Sequence, residues 1–405
     1  MVERRPLVTV GGSVQELPTG DTTALGTKVT RQATLCGGGI GPTYPSPVTF
    51  TEQGMRIPIM FPVRVKKIRI GVRNYDTLNQ ASKTAGTLKG LKIGRHNILT
   101  SGSGTSYTGN FVGSSATTLL SSDQSFVATG AVSKSPWYDV DLLPGIEYLL
   151  AGGVVMSASS SVQYGLGLSY TWSTSAAALD PTNTSGTYTV GIPLDWQIEY
   201  QADTTALSCL WVGDSLSEGL TGTQGTQASP NFVPMPWHTN APHRWGRRRG
   251  VMVQNISLLG LTLVNAGSLT DWWSRTDLDT PAFDMGVVAL GSNDAFSTRT
   301  LAQMQGDLST VVARVRTKLV TDAPLWLVNV PPRGSTGNSN RLAYNKWMAA
   351  MPYGAAGIID YDAALKQVSG DATSLPTDFT TDATHPSHAG TEIMANRIRS
   401  TIGPT

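Results

Sequence analysis

The 405-residue chain has little cysteine, little charge and few histidines. Its two cysteines, Cys36 and Cys209, cannot build a disulfide framework, and a bridge between them would have to join the two halves of the chain. Cys209 lies inside an apolar run and is expected to be buried. Charged residues make up 14%, against about 25% in an average globular domain. The formal net charge is +2 and neither half of the chain is basic, so nucleic acid is not an expected partner. The one dense basic cluster, His243 to Arg249, reads as a solvated face or an anion contact. No window approaches ~20 consecutive apolar residues, so no membrane-spanning segment is expected. The start, MVERRPLVTV, has no apolar segment of signal-peptide length. The expectation is a soluble protein made in a cytoplasm, leaving the cell, if it leaves, by another route. His, Asp and Cys do not cluster at metal-ligand spacing beyond a weak Asp382, His385, His388 group. No metal site is expected on this ground.

Gly, Ser and Thr take the place of the missing charge, which suits turn-rich β structure. Residues 1–30 read as an extended arm and 31–200 as an antiparallel β-sandwich of jelly-roll type. The clearest strand signal is 63–73, VRVKKIRIGVR. Val63 and Val65 alternate with basic residues, then Ile68, Ile70 and Val72 do so in the shifted phase. A β-bulge at Lys66-Lys67 produces such a slip, and the basic face predicts a sheet with one solvated side. Further strands are expected at 91–99, 125–132, 147–156 and 162–172. The Ser/Thr/Gly-rich stretch 101–122 reads as a long loop.

From about residue 206 to 405 the pattern becomes βαβ. Leu207–Val212, Leu258–Val264, Met285–Leu290, Leu325–Val330 and Gly357–Tyr361 read as strands buried on both faces. Leu301, Met304, Leu308, Val311, Val315 and Leu319 follow a 3.6-residue period behind a Thr298 or Thr300 cap. A last helix is expected from Pro386, with proline at its first position. This order predicts a parallel sheet with helices on both faces, and ligands bind beyond the carboxyl ends of such strands. The loops Gly213–Ser215, Asn265–Gly267 and Gly291–Asp294 should therefore meet at one edge.

Those loops hold the parts of a serine hydrolase. Ser215 sits at a strand-to-helix turn, as a nucleophile or simply as a residue at a helix start. Its N–H, the N–H of Gly267 and the side-chain amide of Asn293 would form an oxyanion hole. Gly267 taken alone reads first as a plain turn glycine, and Asn293-Asp294 could be a capping pair. Among five histidines, His385 in DATHPSHAG has Asp382 three residues before it, able to hold one ring nitrogen. His388 reads as exposed on the first helical turn. His238 and His243 lie in a Pro/Trp/His-rich loop, 230–246, that lines a cleft or covers the sheet. Trp237, Trp245, Trp272 and Trp273 would stack on sugar rings or pack between domains. The G-x-S-x-G elbow of α/β-hydrolases is absent, because its second glycine position holds Ser217.

In order, GDSLSEG, VNAGS, LGSND and DATHP resemble the four signature blocks of the SGNH (GDSL) hydrolase family. The resemblance covers about residues 206–405. It implies a flavodoxin-like three-layer αβα domain that hydrolyses esters or thioesters without metal or organic cofactor. It assigns Ser215 as nucleophile, His385 as general base and Asp382 as its orienting partner, with Ser215, Gly267 and Asn293 as the oxyanion hole. VTVGGSVQELPTGDTT is similar to the starts of phage tail proteins, which raises virion association. A β-sandwich beside such a domain resembles microbial carbohydrate esterases. The expected activity is a serine esterase, foremost a polysaccharide O-acetylesterase. The alternatives are a virion structural or adhesive protein with a vestigial hydrolase half, and a short-chain lipase or arylesterase.

Overall fold

The structure is a computed structural model. It describes residues 7–10, 13–16, 31–37 and 48–403, apart from 77–79, 102–103, 115, 128, 163, 203–206, 220–239, 277–282, 335, 367–372 and 381. The expected arm contains a two-stranded antiparallel hairpin, Leu7–Val10 with Ser13–Glu16.

Two antiparallel sheets follow, and their inner faces share one apolar core. Met55, Ile57 and Ile59 come from the larger sheet and Ile68, Ile70 and Ile198 from the smaller, all fully buried. The strand signal at 63–73 forms Val65–Arg73. Its phase slip coincides with a register shift in the neighbouring strand, between Asp139 opposite Lys67 and Leu142 opposite Val65. The solvated basic face is only partly realised. Arg69 pairs with Glu199, and Arg73 is fully buried against Asp195. Residues 101–122 correct the expected loop, because they contribute to strands Gly104–Phe111 and Thr117–Phe126. The second of these is an edge strand that buries little, so its Ser/Thr-rich sequence carries no apolar alternation for a period-2 reading to detect.

The elements of the second half are numbered from its start. Its strands are β1 (Ser208–Gly213), β2 (Met252–Asn255), β3 (Met285–Ala289), β4 (Leu325–Val328) and β5 (Gly357–Ile359). They form one parallel sheet in the order 2-1-3-4-5. All six residues of β1 are buried, as a central strand between two helical layers requires. Helices α1 (Ser215–Glu218), α2 (Ala241–Arg249), α3 (Leu263–Ser268) and α4 (Ser292–Ala295) fill the first part. Then come α5 (Leu301–Arg316), α6 (Asn338–Met348), α7 (Tyr361–Lys366) and α8 (His388–Ile402). Separate apolar clusters pack on the two faces of the sheet.

Two expectations need correction and a third is resolved. The second strand is Met252–Asn255, and the apolar run Leu258–Val264 is a loop that runs into the first turn of α3. Thr262 caps that helix and Asp294 accepts from the N–H of Leu263 at 3.0 Å, so side-chain acceptors outcompete strand pairing there. Of the two expected α5 caps, Thr300 is the one formed, in a full capping box with Gln303. The last helix starts at His388 behind Ser387, while Pro386 pairs with Thr380 outside it.

Candidate active site

The strand order reverses between β1 and β3, the switch point where ligands bind in such sheets. The loops beyond β1 to β4 are tied to one another in series. Asn255 at the end of β2 donates from Nδ2 to the Ser217 carbonyl at 2.7 Å. Asn293 in α4 donates from Nδ2 to the Leu261 carbonyl at 3.0 Å. Arg333, beyond β4, donates from Nη1 to Asn293 Oδ1 at 3.0 Å.

Asp214 is the N-cap of α1 and accepts from the N–H of Leu216 at 3.0 Å. Ser215 is therefore the first helical residue, one of the positions whose N–H has no acceptor inside the helix. Gly213 makes this tight turn feasible, because a Cβ there would lie 2.6 Å from Ser217 and 2.7 Å from Ser257 Oγ.

Ser215 Oγ lies 3.0 Å from His385 Nε2, and His385 Nδ1 lies 2.7 Å from Asp382 Oδ2. Asp382 also accepts at Oδ1 from the N–H of His385 at 2.7 Å and of Thr384 at 2.9 Å. The three-residue spacing thus works through a side-chain-closed loop, with Ala383 at φ +61°, and not through a helical turn. Burial alone would raise the Asp382 pKa, but the hydrogen bonds from His385 and Thr384 win and hold it at about 2. Burial lowers the His385 pKa. Asp382 opposes that, and the charge of Arg333 adds to the lowering. The ring is thus biased towards its neutral form, which can accept a proton at Nε2 while Nδ1–H stays on the carboxylate.

Gly267 does not join this cluster. It is the fifth residue of α3, past the turn whose N–H groups are free, and a Cβ on it would face Thr310 of α5 at 3.3 Å. A glycine does adjoin the Asn293 anchor: Gly260, next to Leu261 in the chain. It has φ +74°, and nothing lies within 4 Å of where a Cβ would sit. Reading 258–264 as strand hid it.

Arg333 was also missed, although the rule that ligands sit beyond strand ends applies equally to the loop after β4. The tryptophan reading is corrected: Trp245, Trp272 and Trp273 are core residues, with Trp272 donating to the Ile256 carbonyl and Trp273 to that of Ala266. Trp237 and His238 lie outside the described residues. His243 is buried in α2, and His388 is half-buried, with its pKa lowered by burial and Arg244. The basic cluster serves packing, since Arg244 and Arg248 both pair with Glu392 of α8. Cys209 is a free, buried thiol. Among the described residues, no three His, Cys, Asp or Glu side chains are grouped to hold a metal ion. Among them, too, no helix is long and apolar enough to cross a membrane.

Comparison with known proteins matches residues 211–393 to the GDSL-like Lipase/Acylhydrolase family. No curated protein matches the chain. Solved structures similar to it include a lipolytic protein of the G-D-S-L family from Veillonella parvula, at 15% identity and TM-score 0.37, covering 48% of this chain and 98% of that one. A family two carbohydrate esterase from Clostridium thermocellum, solved with cellohexaose, is 13% identical with TM-score 0.39, covering 91% of this chain and 98% of that one. A variant of an acetyl-xylooligosaccharide esterase from Geobacillus Stearmophilus is 17% identical with TM-score 0.37, covering 49% and 94%. The segment from Trp211 to Ile393, which contains both the DSL turn and the DATH loop, is a GDSL-like lipase/acylhydrolase domain.

Proposed function

We propose that the protein is a serine esterase that works through an acyl-enzyme, with an O-acetylated polysaccharide as its foremost substrate class. The observation that carries the reading is the unbroken relay from Ser215 Oγ to His385 Nε2 and from His385 Nδ1 to Asp382. In the first step His385 takes the Ser215 proton as Oγ attacks the ester carbonyl. Asp382 stabilises the imidazolium that forms. The oxyanion is met by the N–H of Ser215, the Asn293 amide and, in place of Gly267, the N–H of Gly260. His385 then protonates the leaving alcohol, and the same groups direct water at the acyl-serine.

The acetylated-glycan part rests on the β-sandwich adjoining the hydrolase domain, an arrangement that resembles microbial carbohydrate esterases. Acetate release from a panel of acetylated polysaccharides tests it, with Ser215→Ala as control. Release from at least one glycan, lost in the variant, is the expected outcome. Turnover of p-nitrophenyl acetate with no acetate from any glycan would leave an esterase of another substrate class.

A further inference from the structure

We propose that Arg333 is a positioning residue of this reaction, clamping the Asn293 amide so that a single Nδ2–H is left for the oxyanion. The proposal rests on the esterase reading above. A guanidinium can only donate and a backbone carbonyl can only accept. The bond from Arg333 Nη1 therefore identifies the atom it meets as Asn293 Oδ1, and the bond to the Leu261 carbonyl independently identifies the other as Nδ2. Both contacts demand the same orientation of the amide. Of its two N–H donors, one is used by Leu261, and no partner takes the second among the described residues.

Arg333 is itself held firmly. It follows two buried prolines, Pro331 and Pro332, which fix the backbone after β4. Its guanidinium lies over the Phe296 ring at 5.6 Å. Among the described residues no carboxylate pairs with it. Its charge is felt at both Asp214 and His385. The other groups acting on the His385 ring are Asp382 on its own loop and the Ser215 hydroxyl on α1.

Steady-state kinetics on p-nitrophenyl acetate for the wild type, R333M, R333K, N293A and the double variant R333M/N293A test the proposal. Removing a single oxyanion donor costs roughly 10²–10³ in kcat, which is the loss expected for N293A. R333M is expected to lose about 10-fold or more in kcat, with KM changed by less than about 3-fold, since the clamp serves the transition state. In the N293A background the same change should cost less than about 3-fold, because the amide it acts through is gone. The acid limb of kcat/KM should move to higher pH in R333M, where the imidazolium loses a repelling charge, and stay in place in R333K.

Equal losses from R333M with and without Asn293, or a raised KM at unchanged kcat, would overturn the role of Arg333. R333K, which keeps the charge, tests the clamp if R333M does not fold: a loss in kcat at unchanged KM that disappears in the N293A background supports it, and an equal loss in both backgrounds, or a raised KM at unchanged kcat, contradicts it. A wild type inert towards acyl esters would remove the esterase reading itself, and this role with it.

Discussion

At His385, burial and Arg333 press the ring towards neutrality while Asp382 resists. The sum lies below the ordinary value of 6.5, so the free base should dominate at pH 7. The acid limb of kcat/KM is expected below pH 6.5, and a limb above it would contradict this balance. His385→Ala should lower kcat by about 10⁴-fold or more, and Asp382→Asn by less, because the serine–histidine contact survives without the carboxylate charge. A silent Asp382→Asn would mean that the serine and histidine suffice. Ser215, Asn293, His385 and Asp382 could be found in the sequence because each sits where chain chemistry is distinctive: a strand end, a glycine turn, an Asp-x-x-His loop. Arg333 and Gly260 could not be found the same way. An arginine after two prolines looks like any surface loop, and a glycine inside LLGLTLV looks like part of a strand.

At the scale of elements, the parallel sheet was readable because its strands are buried on both faces and appear as unbroken apolar runs. The second strand was misplaced since Met252–Asn255 is short and mixed, whereas the more apolar 258–264 is held by caps. The strands at 104–126 were hidden because edge strands need no apolar face. Helix α1 has a testable cost. Its cap, Asp214, is buried, and burial raises its pKa from 3.8 to about 7. The folded protein therefore holds this proton more tightly than the unfolded chain. The associated stability is complete below about pH 4 and is lost as pH rises through about 7. Asn at this position can still accept from Leu216 but carries no charge. The melting temperature of Asp214→Asn relative to the wild type should thus rise between pH 5 and pH 8.5. A pH-independent difference would contradict the placement of the cap.

Across the whole molecule, the two halves are joined by buried charge. Asp195 of the sandwich accepts from Arg73 at 2.7 Å and meets Arg275 of the hydrolase half at 3.1 Å, all three almost fully buried. Arg73 also reaches the Asp271 carbonyl, Tyr75 bonds the Asp271 carboxylate, and Met252 of β2 packs into the sandwich core. Asp195→Ala would remove the one carboxylate that these two buried guanidinium groups share, a loss of about 3–5 kcal/mol. Because Asp195 serves both halves, calorimetry should show the whole unfolding endotherm shifting down. A shift confined to one of two resolved transitions would mean that the halves are energetically independent.

The central claim is that Ser215 is the nucleophile. Mass spectrometry of the protein after treatment with a fluorophosphonate tests it most directly. One adduct on the peptide containing Ser215, absent from Ser215→Ala and suppressed in His385→Ala, is the expected result. A folded wild type that takes up no adduct, or takes it up at another residue, would contradict the claim.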